Sequence, residues 1–349
     1  MDADADADAD ADPDLGVGLD VVVIGSGIIG LTTALRLQER GLRVGVVTAD
    51  GLLSTVSAVA AAVWYPVGVE AGGQVAAWSA ATYAELARQA RAGVPGVVLR
   101  DTWMPALRRQ DGGTPWWGAG VPDLRRLEPA DLAPAYADGW RFTAPTVEMP
   151  RYLPWLLGRF REGGGKVLHR RLDTLRQAGA WAPVVVNAAG LGARLLCGDD
   201  AVRPVRGQLA LVRNPGLRAS LRIQDEPAGY TYVHPRSRDV VLGGTFEEGS
   251  WDLRGDRAAA EAILARCAVH VPELRGAELI GCPVGLRPDR RGGVRLAVEE
   301  SADGEAVGGE AAAGLRIVHN YGHGGAGVTL SWGCADAVVE LVGAGARIR

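Results

Sequence analysis

Three glycines at the spacing Gly25-x-Gly27-x-x-Gly30 follow the apolar run Val21-Val22-Val23-Ile24. In that pattern the first glycine permits a tight turn, the second lets backbone approach a pyrophosphate, and the third lets a helix pack closely on its strand. Ile28, Leu31 and Leu35 recur on one helical face, Gly41 supplies a helix stop, and Val44-Gly45-Val46-Val47 reads as a second buried strand. The helix would present free amides and its positive dipole end to phosphates, so Ile28 and Ile29 in its first turn join the glycines as expected cofactor contacts. Asp50 follows Gly30 by 20 residues, where a dinucleotide fold places a carboxylate on a ribose hydroxyl. The glycines alone also fit an ordinary loop. With strand, helix, second strand and carboxylate in order, they point to dinucleotide binding.

This unit does not separate FAD from NAD. A further strand, Pro183-Val184-Val185-Val186, runs into the small-residue turn Asn187-Ala188-Ala189-Gly190-Leu191-Gly192. It resembles the second strand and turn of FAD-containing oxidoreductases, and on that resemblance FAD is the expected cofactor. Apolar spacing predicts a helix over Tyr152 to Arg161, at Leu153, Leu156, Leu157 and Phe160. From Trp64 to about Ala144 the chain is rich in Trp, Pro and Gly, and from Val202 to about Gly285 it reads mostly as strands.

The chain has 349 residues, 48% hydrophobic and 22% charged, an ordinary globular composition. Its net charge of -4 and lack of a dense basic run argue against nucleic acid or an anionic membrane as partner. No run is expected to reach the about 20 apolar residues of a spanning helix, no basic-then-apolar leader is present, and a cytoplasmic protein is expected. Cys197, Cys267, Cys282 and Cys334 are scattered and suggest neither a metal nor a disulfide framework. Residues 2–14 alternate Asp and Ala before a proline and are expected to form a disordered tail; Glu299 to Gly314 reads as a flexible hairpin connection.

The densest motif comes late: Ile317-Val318-His319-Asn320-Tyr321-Gly322-His323-Gly324-Gly325-Ala326-Gly327, with Gly333 and Ala335 after it. With Val63-Trp64-Tyr65-Pro66, Gly243-Gly244-Thr245-Phe246, Trp251-Asp252 and Gly285-Leu286-Arg287-Pro288 in the same order, the sequence resembles the D-amino-acid oxidase family. The resemblance implies an α/β fold in which a discontinuous Rossmann-like FAD-binding domain adjoins a mixed, largely antiparallel substrate-binding sheet. The expected division is a tail at 1–18, an FAD domain at 19–62, 145–201 and 286–349, and a substrate domain at 63–144 and 202–285. It implies noncovalent FAD and a small-molecule D-amino acid oxidised at its Cα–N bond. Hydride passes to flavin N5, O2 reoxidises the flavin to give H2O2, and the imino acid hydrolyses to a 2-oxo acid and ammonia.

By the same resemblance Arg287 pairs with the substrate carboxylate, a task suited to the two parallel donors of a guanidinium. Tyr232 also holds that carboxylate, and Tyr230 stands either as the lid tyrosine or as its strand neighbour two residues away. Gly325 offers its carbonyl to the substrate amine. Gly324, Gly327, Val328 and Thr329 meet the flavin, and Thr55 and Ser57 lie in a hydroxyl-rich loop near it. His319 and His323 are expected to be structural, because hydride transfer needs a positioned neutral amine rather than an enzyme base. Tyr65 stands where mammalian members carry Gln, which alters the pocket wall. The C-terminus lacks the peroxisomal address of eukaryotic members, so a bacterial cytoplasm is the expected setting.

The resemblance points to neutral D-amino acids, with D-aspartate the nearest rival and a glycine or sarcosine oxidase more distant. Arg218, Arg222 and His234 are the nearby groups able to meet a second carboxylate. A flavin-binding redox protein without turnover is the alternative from another class, and it predicts loss of Arg287, which is present.

Overall fold

The computed structural model describes residues 14–66, 72–299 and 315–344. Most of the expected tail, the hairpin connection and the C-terminal residues 345–349 lie outside these described residues.

Two sheets organise the chain. The smaller has six strands in the order Arg295–Val298, Arg316–Tyr321, Val184–Asn187, Val21–Ile24, Val44–Thr48 and Lys166–His169. All neighbours are parallel except the antiparallel first pair. Val21–Ile24 lies at its centre with every residue buried, as a run of β-branched residues covered on both faces should be. The predicted helix forms as Ile28–Glu39 and buries Ile28, Leu31, Ala34, Leu35 and Leu37. Burying each such large side chain contributes about 1.5–3 kcal/mol, which makes this stripe the main hold of the helix on the sheet. The helix stops where Gly41 takes φ +83° and returns its amide to the Gln38 carbonyl at 2.8 Å.

The larger sheet has ten strands. The long strand Val202–Arg213 pairs antiparallel with Asp239–Gly243, Leu279–Gly281, Glu247–Glu248 and Val284–Arg290. Beyond Asp239–Gly243 lie Thr231–Pro235 and then Ser220–Ile223, each antiparallel to the strand before it in this order. Val97–Ala106 joins parallel to Ser220–Ile223, and Asp138–Val147 and Arg125–Arg126 complete the sheet. The strand that carries Arg287 therefore belongs to this larger sheet, and it crosses the expected boundary at residue 286.

The helix predicted over Tyr152 to Arg161 forms as Met149–Glu162. Two other helices fall where the sequence reading placed none: Gly73–Arg91 in the Trp-, Pro- and Gly-rich stretch, and Arg257–His270 inside the stretch read as strands. The first buries Ser79, Thr82, Tyr83, Leu86 and Ala87, a stripe too small and polar to stand out as apolar periodicity.

The segment Gly324–Gly343 is long and apolar enough to cross a membrane, contrary to the expectation that no run is. Its helix, Gly327–Gly343, instead packs between neighbours of the core. The Gly333 amide donates to Thr82 Oγ1 at 2.9 Å, Trp332 Nε1 donates to the Tyr152 hydroxyl at 3.0 Å, and a Cβ at Gly333 would overlap the Trp78 backbone. A helix apolar on all sides is what burial on several sides requires.

Candidate active site

A cavity of about 1210 Å³ opens between the two sheets and is lined from both. At one end it meets the Gly25–Gly30 turn. Gly25 takes φ +109°, and a Cβ there would lie 2.5 Å from the Ala188 carbonyl oxygen. A Cβ on Gly30 would overlap the Gly25 carbonyl. Both positions thus need glycine, one for its backbone angle and both for close approach. The Ile28 amide donates to Ser57 Oγ at 3.0 Å, which brings the hydroxyl-rich loop against the helix start. The next amides, of Ile29 and Gly30, have no acceptor within the helix. This tight turn beside a helix start fits a pyrophosphate, and the cavity continues from it to residues of the larger sheet.

The other residues expected to meet the cofactor divide by what already engages them. Thr55 Oγ1 donates to the Leu52 carbonyl at 2.8 Å and holds a local turn. Asp50 lines the cavity, exposed, with Arg171 at 3.4 Å. Such an exposed pair contributes little to stability. Ala188, Ala189 and Gly190 supply a wall of small residues, and the Asn187 side chain closes their turn by accepting from the Ala189 amide at 3.2 Å. Gly324 and Gly325 form a short turn at the start of the helix Gly327–Gly343, beside the helix Ile28–Glu39. Gly324 takes φ +52°, and Gly325 is exposed to the cavity. Gly327 and Val328 line it as well. Thr329 also lines the cavity, but its hydroxyl is engaged with Tyr65: it donates to the Tyr65 carbonyl at 2.9 Å and accepts from the Tyr65 amide at 3.2 Å.

At the other end the larger sheet presents Arg287 and Tyr232. Arg287 donates to the Arg206 and Thr245 carbonyls at 3.3–3.4 Å and lies under the Phe246 ring, 5.4 Å from its centroid. Among the described residues no carboxylate pairs with it, so its charge is open to a ligand. Tyr232 is 5% exposed, with its ring lying across Gly243 on the adjoining strand. Burial raises its hydroxyl pKa, and the nearby Arg287 opposes that shift. Tyr230 sits one residue before the strand Thr231–Pro235, with its ring edge-on to Tyr232 at 5.3 Å. The structure thus brings Arg287, Tyr232, Tyr230 and Gly325 to one cavity.

Of the three groups weighed for a second carboxylate, Arg222 and His234 line the cavity, whereas Arg218 is exposed elsewhere. His234 stacks on Tyr232 at 4.7 Å, and burial first, then Arg222, lowers its pKa to about 3. His323 lines the cavity too, and burial alone lowers it to about 3, so both imidazoles are neutral at pH 7. His319 is buried against Glu299 at 3.0 Å. Sequence reasoning gave no role to Trp251 and Leu253. They stand 56% and 63% exposed and line the cavity with Phe246; Trp251 belongs to the Trp251-Asp252 motif, whereas only its position in space marks Leu253.

Residues 20–341 match the family described as FAD dependent oxidoreductase. The chain is 46% identical to a D-amino-acid oxidase of Rubrobacter xylanophilus, over 93% of this chain and 95% of that protein. It is 43% identical to a D-amino-acid oxidase of Streptomyces coelicolor, over 92% and 96%. It is 36% identical to a D-aspartate oxidase of Homo sapiens, over 92% and 94%. In fold it resembles glycine oxidase from Bacillus cereus, with a TM-score of 0.74 at 20% identity, covering 95% of this chain and 96% of that one.

Proposed function

The chain belongs to the FAD dependent oxidoreductase family, and from that premise we propose that it is a D-amino-acid oxidase acting on neutral substrates. The observation that carries this reading is one cavity with the glycine turn of a dinucleotide site at one end and, at the other, a guanidinium that has no carboxylate partner among the described residues, beside a buried tyrosine. D-amino-acid oxidase relatives at 43–46% identity support it.

In this reading the smaller sheet and its helices hold FAD, and the larger sheet holds the substrate. Arg287 binds the α-carboxylate through two parallel donors and Tyr232 adds a third, so the carboxylate cannot pivot. The Gly325 carbonyl accepts a hydrogen bond from the substrate amine and fixes the second substituent of Cα. With two substituents fixed, only one enantiomer directs its Cα hydrogen towards the cofactor, and the side chain is left to the remaining wall. FAD, when bound, supplies the acceptor for the Cα hydride. No histidine is needed as base: His234 and His323 are buried and neutral, and an amine bound unprotonated carries its own lone pair into the imino acid. The 2-oxo acid and ammonia follow by hydrolysis in water, and O2 is the second substrate. We place this activity in a bacterial cytoplasm, in keeping with the two bacterial relatives.

Peroxide release measured across matched D- and L-amino acids tests the reading. Turnover of D-alanine or D-methionine with inert L-enantiomers is expected. Equal rates for both enantiomers, or none with any D-amino acid, would overturn it.

A further inference from the structure

Arg222 stands on the strand Ser220–Ile223, directly across from Tyr232. Its guanidinium carbon lies 4.4 Å from the ring centroid of Tyr65 and 4.4 Å from that of Tyr230. On the other side of Tyr232 the register continues through Gly243 to Leu209, and Gly207, two residues along that strand, lies under Arg287. A guanidinium therefore stands to either side of the Tyr232 ring, Arg222 in the same row of the sheet and Arg287 offset from that row, over Gly207. Both bear on the Tyr232 hydroxyl, opposing the larger upward effect of burial.

Among the described residues Arg222, like Arg287, has no carboxylate partner. Of the carboxylates that line the cavity, Asp289 pairs with Arg203 and Asp50 with Arg171, while Asp173 accompanies Arg170 and Arg171 in their segment. His234, stacked beside Tyr232, is buried and adds no charge. The two rings hold the Arg222 guanidinium by cation–π attraction, which opposes its swinging away.

We propose that Arg222 is a specificity-determining residue, a fixed positive charge on the wall facing the substrate side chain that excludes D-amino acids with cationic side chains. The proposal rests on the D-amino-acid oxidase reading, in which Arg287 takes the α-carboxylate and leaves Arg222 to face the rest of the substrate. An ammonium entering here leaves water, finds no anion and meets a like charge, and each of these costs free energy. An uncharged chain meets Tyr65, Met104 and Phe142, which line the same cavity and carry no charge. Selection therefore works by repulsion, without a dedicated contact to the accepted substrates.

The test compares kcat/KM for D-methionine and D-lysine, similar in length and different in charge, at pH 8, where the lysine side chain is an ammonium. The holoenzyme is assayed as wild type, Arg222→Gln and Arg222→Lys. Wild type is expected to favour D-methionine strongly. Arg222→Gln should cut that ratio about tenfold or more, whereas Arg222→Lys, which keeps the charge, should hold it within about threefold. The ratio of D-glutamate to D-glutamine should move the opposite way to that of D-lysine and fall in Arg222→Gln. Wild type that oxidises D-lysine as well as D-methionine overturns the proposal whatever the variants do, and so does an Arg222→Gln ratio equal to wild type. A wild-type enzyme inert towards every D-amino acid removes the underlying functional reading and this proposal with it.

Discussion

The guanidinium of Arg287 lies so close over Gly207 that a Cβ on Gly207 would fall within it. The two residues sit on neighbouring strands, Arg287 opposite Val205 and Gly207 opposite Gly285. Glycine at 207 is the space in which the guanidinium rests, so Gly207→Ala should displace Arg287 without touching the dinucleotide end of the cavity. The expected result is a fall in kcat/KM for D-alanine of about tenfold or more with the flavin spectrum retained. Wild-type kinetics in Gly207→Ala would mean that Arg287 does its work from another position.

Arg287→Ala should be more severe. Removing one partner of a hydrogen-bonded charge pair costs about 2–5 kcal/mol, roughly 30- to 4,000-fold in kcat/KM. Arg287→Lys should recover only part, because an ammonium restores the charge and not the two parallel donors. Titration with benzoate reads the carboxylate site without chemistry, and tight benzoate binding by Arg287→Ala would remove Arg287 from it.

Gly30→Val places side-chain atoms where the Gly25 carbonyl stands. The helix Ile28–Glu39 must then lift from its strand, and the purified variant should lose the yellow of bound FAD or fail to fold. Flavin absorbance after gel filtration, with thermal unfolding alongside, checks it. A folded Gly30→Val protein with a full complement of FAD would contradict the packing described here.

Acid sensitivity should begin well above the carboxylate range. His234 and His323 both titrate near pH 3 when folded, held down mainly by burial, against 6.5 in the open chain. The unfolded state therefore binds more protons than the folded state between these limits. The stability linked to neutral histidine is fully present above about pH 6.5 and is lost as pH falls towards 3, at up to about 1.4 kcal/mol per pH unit for each ring. Urea unfolding at pH 7, 6 and 5 should show this slope, and His323→Leu should reduce it. A flat profile in wild type over that range would show that these rings gain protons while folded.

Local sequence was most legible where neighbours in the chain are neighbours in space. The strand Val21–Ile24, its glycine turn and the helix after it follow from residue spacing, because each glycine answers to atoms a few residues away or to the next parallel strand. The helix Gly73–Arg91 was not legible, since Thr82, Ala87 and Gln89 are buried by helix packing that no hydrophobic period announces. The apolar helix Gly327–Gly343 could not be placed by hydropathy, since the same composition serves a membrane span or a core helix, and only the contacts of Thr82, Tyr152 and Trp78 decide for the core.

By itself the sequence marked the dinucleotide turn and, through the order of its motifs, Arg287, Tyr232 and Gly325 as candidates, which the fold brings to one cavity. Tertiary structure alone decided which further residues stand with them. Arg222 is one arginine in an arginine-rich chain until the register sets it opposite Tyr232 and between the rings of Tyr65 and Tyr230. Gly207 is one glycine among 49 until the strand Val284–Arg290 lays the Arg287 guanidinium across it. Turn and helix signals act over a few residues, whereas pairing between distant strands is fixed by the packing of whole sheets, which no local spacing records.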